Sequence, residues 1–170
     1  FVRDKDAISA ACLIAEAALL AKNQRKTLVD NLYALYQQYG VFREKLADVN
    51  FTADLSGMQQ MQKLMSQLRQ KPPTQFSNCE VKIIEDYQTQ KGLNRQTNQS
   101  YALTLPRSDV LRFFLDDGTK IVIRPSGTEP KIKLYLGVFE KNVADVAVTI
   151  KKCDSRLTAL LQAAREVFLD

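Results

Sequence analysis

Two runs of alternating side chains, Val110 to Leu115 and Thr119 to Arg124, are separated only by Asp116, Asp117 and Gly118. Asp-Gly between apolar runs is a strong hairpin signal, because glycine accepts the positive φ that a tight reversal needs. A third run, Lys131 to Phe139, follows closely and alternates Ile132, Leu134 and Leu136 with Lys131, Lys133 and Tyr135. Its cationic groups therefore share one face and its apolar groups the other. Short links between such runs predict a mainly antiparallel sheet. Cys79 to Tyr87, with Val81, Ile83 and Ile84, reads as a further strand, and Val41 to Thr52 has extended character.

Helical periodicity flanks these runs. Asp54 can cap a helix at about 55–69, with Met58, Met61, Leu64, Met65 and Leu68 on one stripe, and Lys71, Pro72 and Pro73 end it. That methionine stripe reads as core rather than as a ligand groove. A last helix is expected from Asn142 to about Phe168, with Val146, Ile150, Cys153, Leu157 and Leu160 on its apolar stripe. From residue 41 the order is thus β-α-β-β-β-α. The fold class is α+β, a four-stranded, mainly antiparallel sheet with two helices on one face. The polar stretch Gln88 to Ser100 is expected to be an exposed loop.

Residues 1–40 differ in character. Residues 7–21 read as a helix without a polar face, and such a helix is expected to be buried on all sides. A second helix, at about 25–39, carries Leu28, Leu32, Leu35 and Tyr39 and stops at Gly40. A chain that opens on its most apolar helix, and on Phe1 rather than Met, is expected to be a piece of something longer. The division falls near residue 40, giving segments 1–40 and 41–170.

Histidine is absent, so Ser-His-Asp triads and Cys-His dyads within this chain are excluded, and zinc sites with it. Cys12, Cys79 and Cys153 have no metal-cluster spacing and suit free thiols in a reducing cytoplasm. No apolar stretch reaches the ~20 residues of a membrane span. The net charge of +5 is spread along the chain rather than gathered into the stripe or tail typical of polyanion binders. Neither a membrane nor a nucleic acid is expected as a partner.

One segment carries chemistry. Arg124-Pro125-Ser126-Gly127-Thr128-Glu129-Pro130-Lys131 joins two strands, so the sheet should hold both its ends. Ser126 and Thr128 offer hydroxyl donors, and Gly127 lets backbone N–H groups approach an anion. Arg124 offers a planar fork for two phosphate oxygens, Lys133 lies on the adjoining strand face, and the prolines stiffen the flanks. From the pattern alone, a tight turn among surface lysines explains these residues equally well.

The full string Arg-Pro-Ser-Gly-Thr-Glu-Pro-Lys-Ile-Lys-Leu-Tyr at 124–135 closely resembles the C-terminal phosphate-binding loop of the α-D-phosphohexomutases, the phosphoglucomutase/phosphomannomutase family. Leu105-Pro106-Arg107-Ser108-Asp109-Val110-Leu111 and the Asp-Gly hairpin are similar to that family's last domain. Val2-Arg3-Asp4-Lys5-Asp6-Ala7 resembles the start of a helix in its third domain. The wording is nearest the phosphoglucomutase-2-like branch. The resemblance implies a TATA-binding-protein-like C-terminal domain four over 41–170, preceded by two helices that close an α/β domain three over 1–40.

It also implies roles. Arg124, Ser126, Gly127 and Thr128, with Lys133, would bind the non-reacting phosphate of a phosphosugar. Lys5 would be a substrate contact or proton-transfer group, although solvated charge at a helix start explains it as well. The family's phosphoserine loop contains histidine and its Mg²⁺ loop reads Asp-x-Asp-x-Asp-Arg; neither string occurs here. Mg²⁺ and a sugar bisphosphate activator are therefore expected in the parent enzyme, with no metal held by residues of this chain, which alone should be inactive. The parent reaction would interconvert hexose 1- and 6-phosphates, with pentose phosphates as the alternative substrates. A stand-alone anion- or nucleic-acid-binding module is the rival; it predicts stacking aromatics on the open sheet face, where only Tyr135 clearly qualifies.

Overall fold

In a computed structural model that describes residues 5–168, four helices accompany a large antiparallel sheet. Helices α1 (Ala7–Asn23) and α2 (Leu28–Tyr39) come first, followed by strand β1 (Val41–Asn50) and helix α3 (Leu55–Gln70). Strands β2 (Gln75–Phe76), β3 (Cys79–Asp86), β4 (Lys91–Asn94), β5 (Gln99–Ala102), β6 (Leu111–Leu115), β7 (Lys120–Pro125) and β8 (Lys131–Glu140) lead to the final helix α4 (Val146–Glu166). The sheet order is β1-β8-β7-β6-β3-β4-β5, with β2 paired to β3. The α+β, antiparallel expectation holds, but the sheet has eight strands rather than four.

Local chemistry sets most boundaries. Asp54 caps α3 by accepting from the Gly57 N–H at 2.9 Å, and Thr27 and Asp30 form a reciprocal capping box at α2. Helix α4 starts at Val146 rather than near Asn142, because the Asp145 carboxylate accepts from the Val148 N–H at 2.8 Å and fixes the first turn there. Gly118 closes the β6–β7 hairpin with φ of 81°.

Helices α3 and α4 lie on one face of the sheet. Met61, Leu64, Met65 and Leu68 from α3 meet Cys153, Leu157, Leu160 and Ala164 from α4 over Phe113, Ile121, Ile123, Ile132, Leu134 and Leu136, all buried. The opposite face carries the alternate residues of the same strands, Arg124, Lys133 and Tyr135 among them.

Two expectations are corrected. The stretch Gln88 to Ser100 is not simply a loop: it holds β4 and the first half of β5, which pair as a hairpin with Gly92 opposite Tyr101. Its polar sequence hides the strands because the hairpin is held by contacts to β3 rather than by an apolar face of its own. Helix α1 is not enclosed by the described residues. Only Ala21 is buried, while Ile8 is 80% and Leu13 65% exposed. It packs against α2 and leaves most of its apolar surface open. Among the described residues, no helix is long and apolar enough to cross a membrane. Val2, Arg3 and Asp4 lie outside the described residues.

Candidate phosphate-binding site

The 124–131 segment turns between β7 and β8, whose register places Arg124 opposite Lys133 and Pro125 opposite Ile132. Both ends are anchored. The Ser126 N–H donates to the Lys131 carbonyl at 2.8 Å, and the Phe51 N–H, just past β1, donates to the Pro130 carbonyl at 2.9 Å. Inside the turn, Ser126 Oγ accepts from the N–H groups of Thr128 and Glu129 at 3.4 and 3.3 Å. The loop is thus preorganised by its own hydroxyl, and that hydroxyl keeps its proton free to donate.

These residues border an open depression of about 300 Å³, lined by Arg124, Ser126, Gly127, Thr128, Lys133 and Tyr135 among others. All five loop and strand residues expected to grip a phosphate therefore come together. Two details differ from the expectation. The Ser126 amide is already committed to the Lys131 carbonyl, so the Gly127 amide and the weakly bonded Thr128 amide are the ones left for an anion. Gly127 also does not use the left-handed backbone. A Cβ there would project into empty space with no heavy atom within 4 Å, which keeps the mouth of the depression clear.

Charge is arranged unevenly around the loop. Lys131 Nζ lies 2.6 Å from Glu129, which raises the lysine pKa and lowers that of the carboxyl through their shared hydrogen bond. Lys131 is thereby neutralised. Arg124 and Lys133, by contrast, have no side-chain hydrogen bond or ion pair among the described residues. Elsewhere on the domain, Arg43 pairs with Asp154, Arg69 with Asp86 and Asp109, Arg112 with Glu85, and Arg156 with Asp117. Two adjacent unpaired cations beside a loop with spare donors have the chemistry to receive an anion.

Lys5 is not part of it. It is exposed, precedes α1, and does not line the depression. Its neighbour Asp6 caps α1, accepting from Ile8 and Ser9. The clearest group of metal-type side chains among the described residues is Cys79, Asp116 and Asp117. It does not suit Mg²⁺, a hard cation that prefers oxygen. The Cys79 thiol is pushed up to about 11, by burial first and then by Asp117, and Asp117 is engaged by Arg156 at 2.5 Å.

Sequence patterns did not disclose a second cluster on the same sheet face. Glu85, 6% exposed, accepts from the hydroxyls of Tyr87 at 3.0 Å and Tyr101 at 2.8 Å and from Arg112 Nε at 2.6 Å. Burial, then Glu85, raises both tyrosine pKa values, that of Tyr101 to about 12. The open face also holds more aromatics than expected. Phe42 and Phe139 stack on each other, though, and Arg112 lies 4.9 Å over the Phe114 ring, so Tyr135 is the aromatic beside the depression.

A strand-end loop with unpaired cations, on the open face of a sheet whose other face carries two helices, is the arrangement of this α+β chain. The sequence profile described as "Phosphoglucomutase/phosphomannomutase, C-terminal domain" matches residues 53–152, and the chain belongs to that family. It is 38% identical over 150 residues to a phosphoglucomutase of Staphylococcus haemolyticus (strain JCSC1435), covering 88% of this chain and 27% of that protein. A phosphoglucomutase of Staphylococcus aureus (strain MSSA476) is 39% identical over 151 residues, with 88% and 27% covered. A solved structure of the Paramecium exocytosis-sensitive phosphoprotein pp63/parafusin, a phosphoglucomutase, in its open form aligns with TM-score 0.49 and 19% identity over 96% of this chain and 28% of that one. The chain thus spans about a quarter of the length of the curated relatives it matches.

Proposed function

We propose that this chain is the phosphate-gripping C-terminal part of a phosphosugar mutase that interconverts hexose 1-phosphate and 6-phosphate. Residues 41–170 would form the fourth domain and residues 1–40 the closing helices of the third. The observation that carries the proposal is the unpaired Arg124–Lys133 couple beside Gly127. The large exposed apolar surface of α1 supports the division, since it fits a helix whose neighbours belong to the rest of a longer protein.

In the parent, a phosphoserine elsewhere gives its phosphoryl group to a free sugar hydroxyl, which loses its proton. The resulting bisphosphate turns round and returns its other phosphate to the serine. A loop holding the non-reacting phosphate must therefore accept the sugar in both orientations. Arg124, the Gly127 and Thr128 amides and the Ser126 hydroxyl recognise phosphate oxygens without reading the attached sugar, which is what this task requires. Lys5 is proposed as a substrate contact or proton-transfer group contributed from the α1 side. Mg²⁺ and a bisphosphate activator would belong to other parts of the parent, because the residues here do not suit the metal. Pentose phosphates remain the alternative substrates for the same loop chemistry.

An NMR titration of the chain with inorganic phosphate tests this. The Gly127 and Thr128 amides should shift with an affinity in roughly the millimolar range, since one loop without an opposite wall excludes little water. Arg124→Ala should abolish those shifts, and Arg124→Lys should restore only part of them. Unmoved loop amides, with responses confined to distant lysines, would reduce the loop to a turn.

A further inference from the structure

The open sheet face continues past the phosphate loop in a regular way. Register places Asp48, Lys133 and Arg124 side by side across β1, β8 and β7. The next rung on that face is Leu46, Tyr135 and Val122, and the one after it Glu44, Gly137 and Lys120. Successive rungs are roughly 7 Å apart, two residues at the antiparallel rise. The second and third rungs enclose a hollow of about 470 Å³, mostly apolar in its floor, and Tyr135 lines both this hollow and the phosphate depression.

The far rung is distinctive. Gly137 has no side chain to fill the hollow; a Cβ there would approach only Lys120 Cε at 3.7 Å and Glu44 Oε1 at 4.0 Å. Glu44 and Lys120 have no hydrogen-bond or ion-pair partner among the described residues, although they flank the same glycine. An apolar shelf with one aromatic, bordered by an unpaired acid and an unpaired base and leading out of a phosphate site, matches the amphipathic surface of a sugar ring.

We infer that the shelf formed by Tyr135, Leu46 and Val122 seats the sugar body of a hexose phosphate whose phosphate is held at Arg124, with Glu44 and Lys120 meeting its hydroxyls. The inference rests on the phosphate role proposed for the loop. Tyr135 is then a positioning residue. Apolar contact is non-directional, so the shelf supports a ring presented by either of its faces, as a substrate that must turn round demands.

Dissociation constants of inorganic phosphate and of glucose 6-phosphate for the 170-residue chain, followed at the Gly127 amide, provide the test. Glucose 6-phosphate should bind roughly threefold to tenfold more tightly than inorganic phosphate, the increment of one aromatic contact. Tyr135→Ala should bring that ratio close to one, while Tyr135→Phe retains it. Gly137→Val, which fills the hollow from a strand position without positive φ, should also lower the ratio and serves if Tyr135→Ala does not fold. A wild-type ratio of one, with phosphate still bound through Arg124, overturns the shelf and leaves the loop assignment intact. A ratio insensitive to both substitutions overturns it too. If neither ligand moves the Gly127 amide, the loop assignment fails and the shelf falls with it.

Discussion

Arg112 and Arg124 lie on neighbouring strands, on the same open face of one sheet, and they do opposite things. Arg112 is tied to Glu85, which is buried and also accepts from Tyr87 and Tyr101. The guanidinium and both tyrosine hydroxyls converge on that one carboxylate, which fastens the polar β4–β5 hairpin to the body of the sheet. Arg124 has no hydrogen-bonded or ion-paired acid among the described residues, since Glu129 in the same depression is taken by Lys131, and it opens onto spare donors. A cation that folding leaves uncompensated contributes little to stability and is available for a ligand. The difference lies in what surrounds each guanidinium, not in the residue.

The contrast should appear first in stability. Glu85→Ala leaves Arg112 and two tyrosine hydroxyls without their partner and should cost about 3 kcal/mol, as expected when one member of a buried pair is removed. Arg124→Ala should stay within about 0.5 kcal/mol of wild type while losing phosphate binding. Urea denaturation of both variants checks this. Similar losses from the two would erase the distinction between a structural and a ligand-facing arginine.

A subtler signature separates the clusters in alkali. Tyr101 is 40% exposed as a residue, yet its hydroxyl reaches Glu85, and its folded pKa of about 12 lies above the ordinary value of 10.0. A group whose pKa is raised on folding stabilises the fold fully below its unfolded pKa. That contribution is lost as pH climbs through the folded value, here between about 10 and 12. Ultraviolet titration of tyrosinate should therefore show a late-ionising component that Tyr101→Phe diminishes. A titration in which Tyr101→Phe removes only signal near pH 10 would contradict the cluster's geometry.

The smallest effect concerns the loop's own ion pair. Glu129 is the acidic side chain lining the depression, and it neutralises Lys131. Glu129→Gln should free that lysine and raise phosphate affinity by about twofold to threefold, the scale of an exposed pair, with the gain shrinking as salt is added. A drop in affinity would show that Glu129 supports the loop's shape rather than opposing its ligand.

Local signals were enough for part of this molecule. Period-two alternation and Asp116-Asp117-Gly118 determine the β6–β7 hairpin, because a tight turn and its flanking strands interact over a few residues. The same holds for the caps at Asp54 and Asp145 and for the grouping of Arg124, Ser126, Gly127, Thr128 and Lys133, which fall within ten consecutive positions around one turn. Tertiary structure decided what depends on distant partners. The polar Gln88 to Ser100 stretch gives no strand signal, since its pairing relies on Glu85 reaching Tyr101 and on Gly92 admitting that ring. The apolar pattern of α1 indicates burial, yet nothing among the described residues covers most of it, because periodicity reports a preferred environment and not the neighbour that supplies it. Likewise, no local pattern tells Arg112 from Arg124. Pairing is settled by which acid the sheet register brings alongside, and β1 reaches β8 from about ninety residues away to complete the face on which the difference shows.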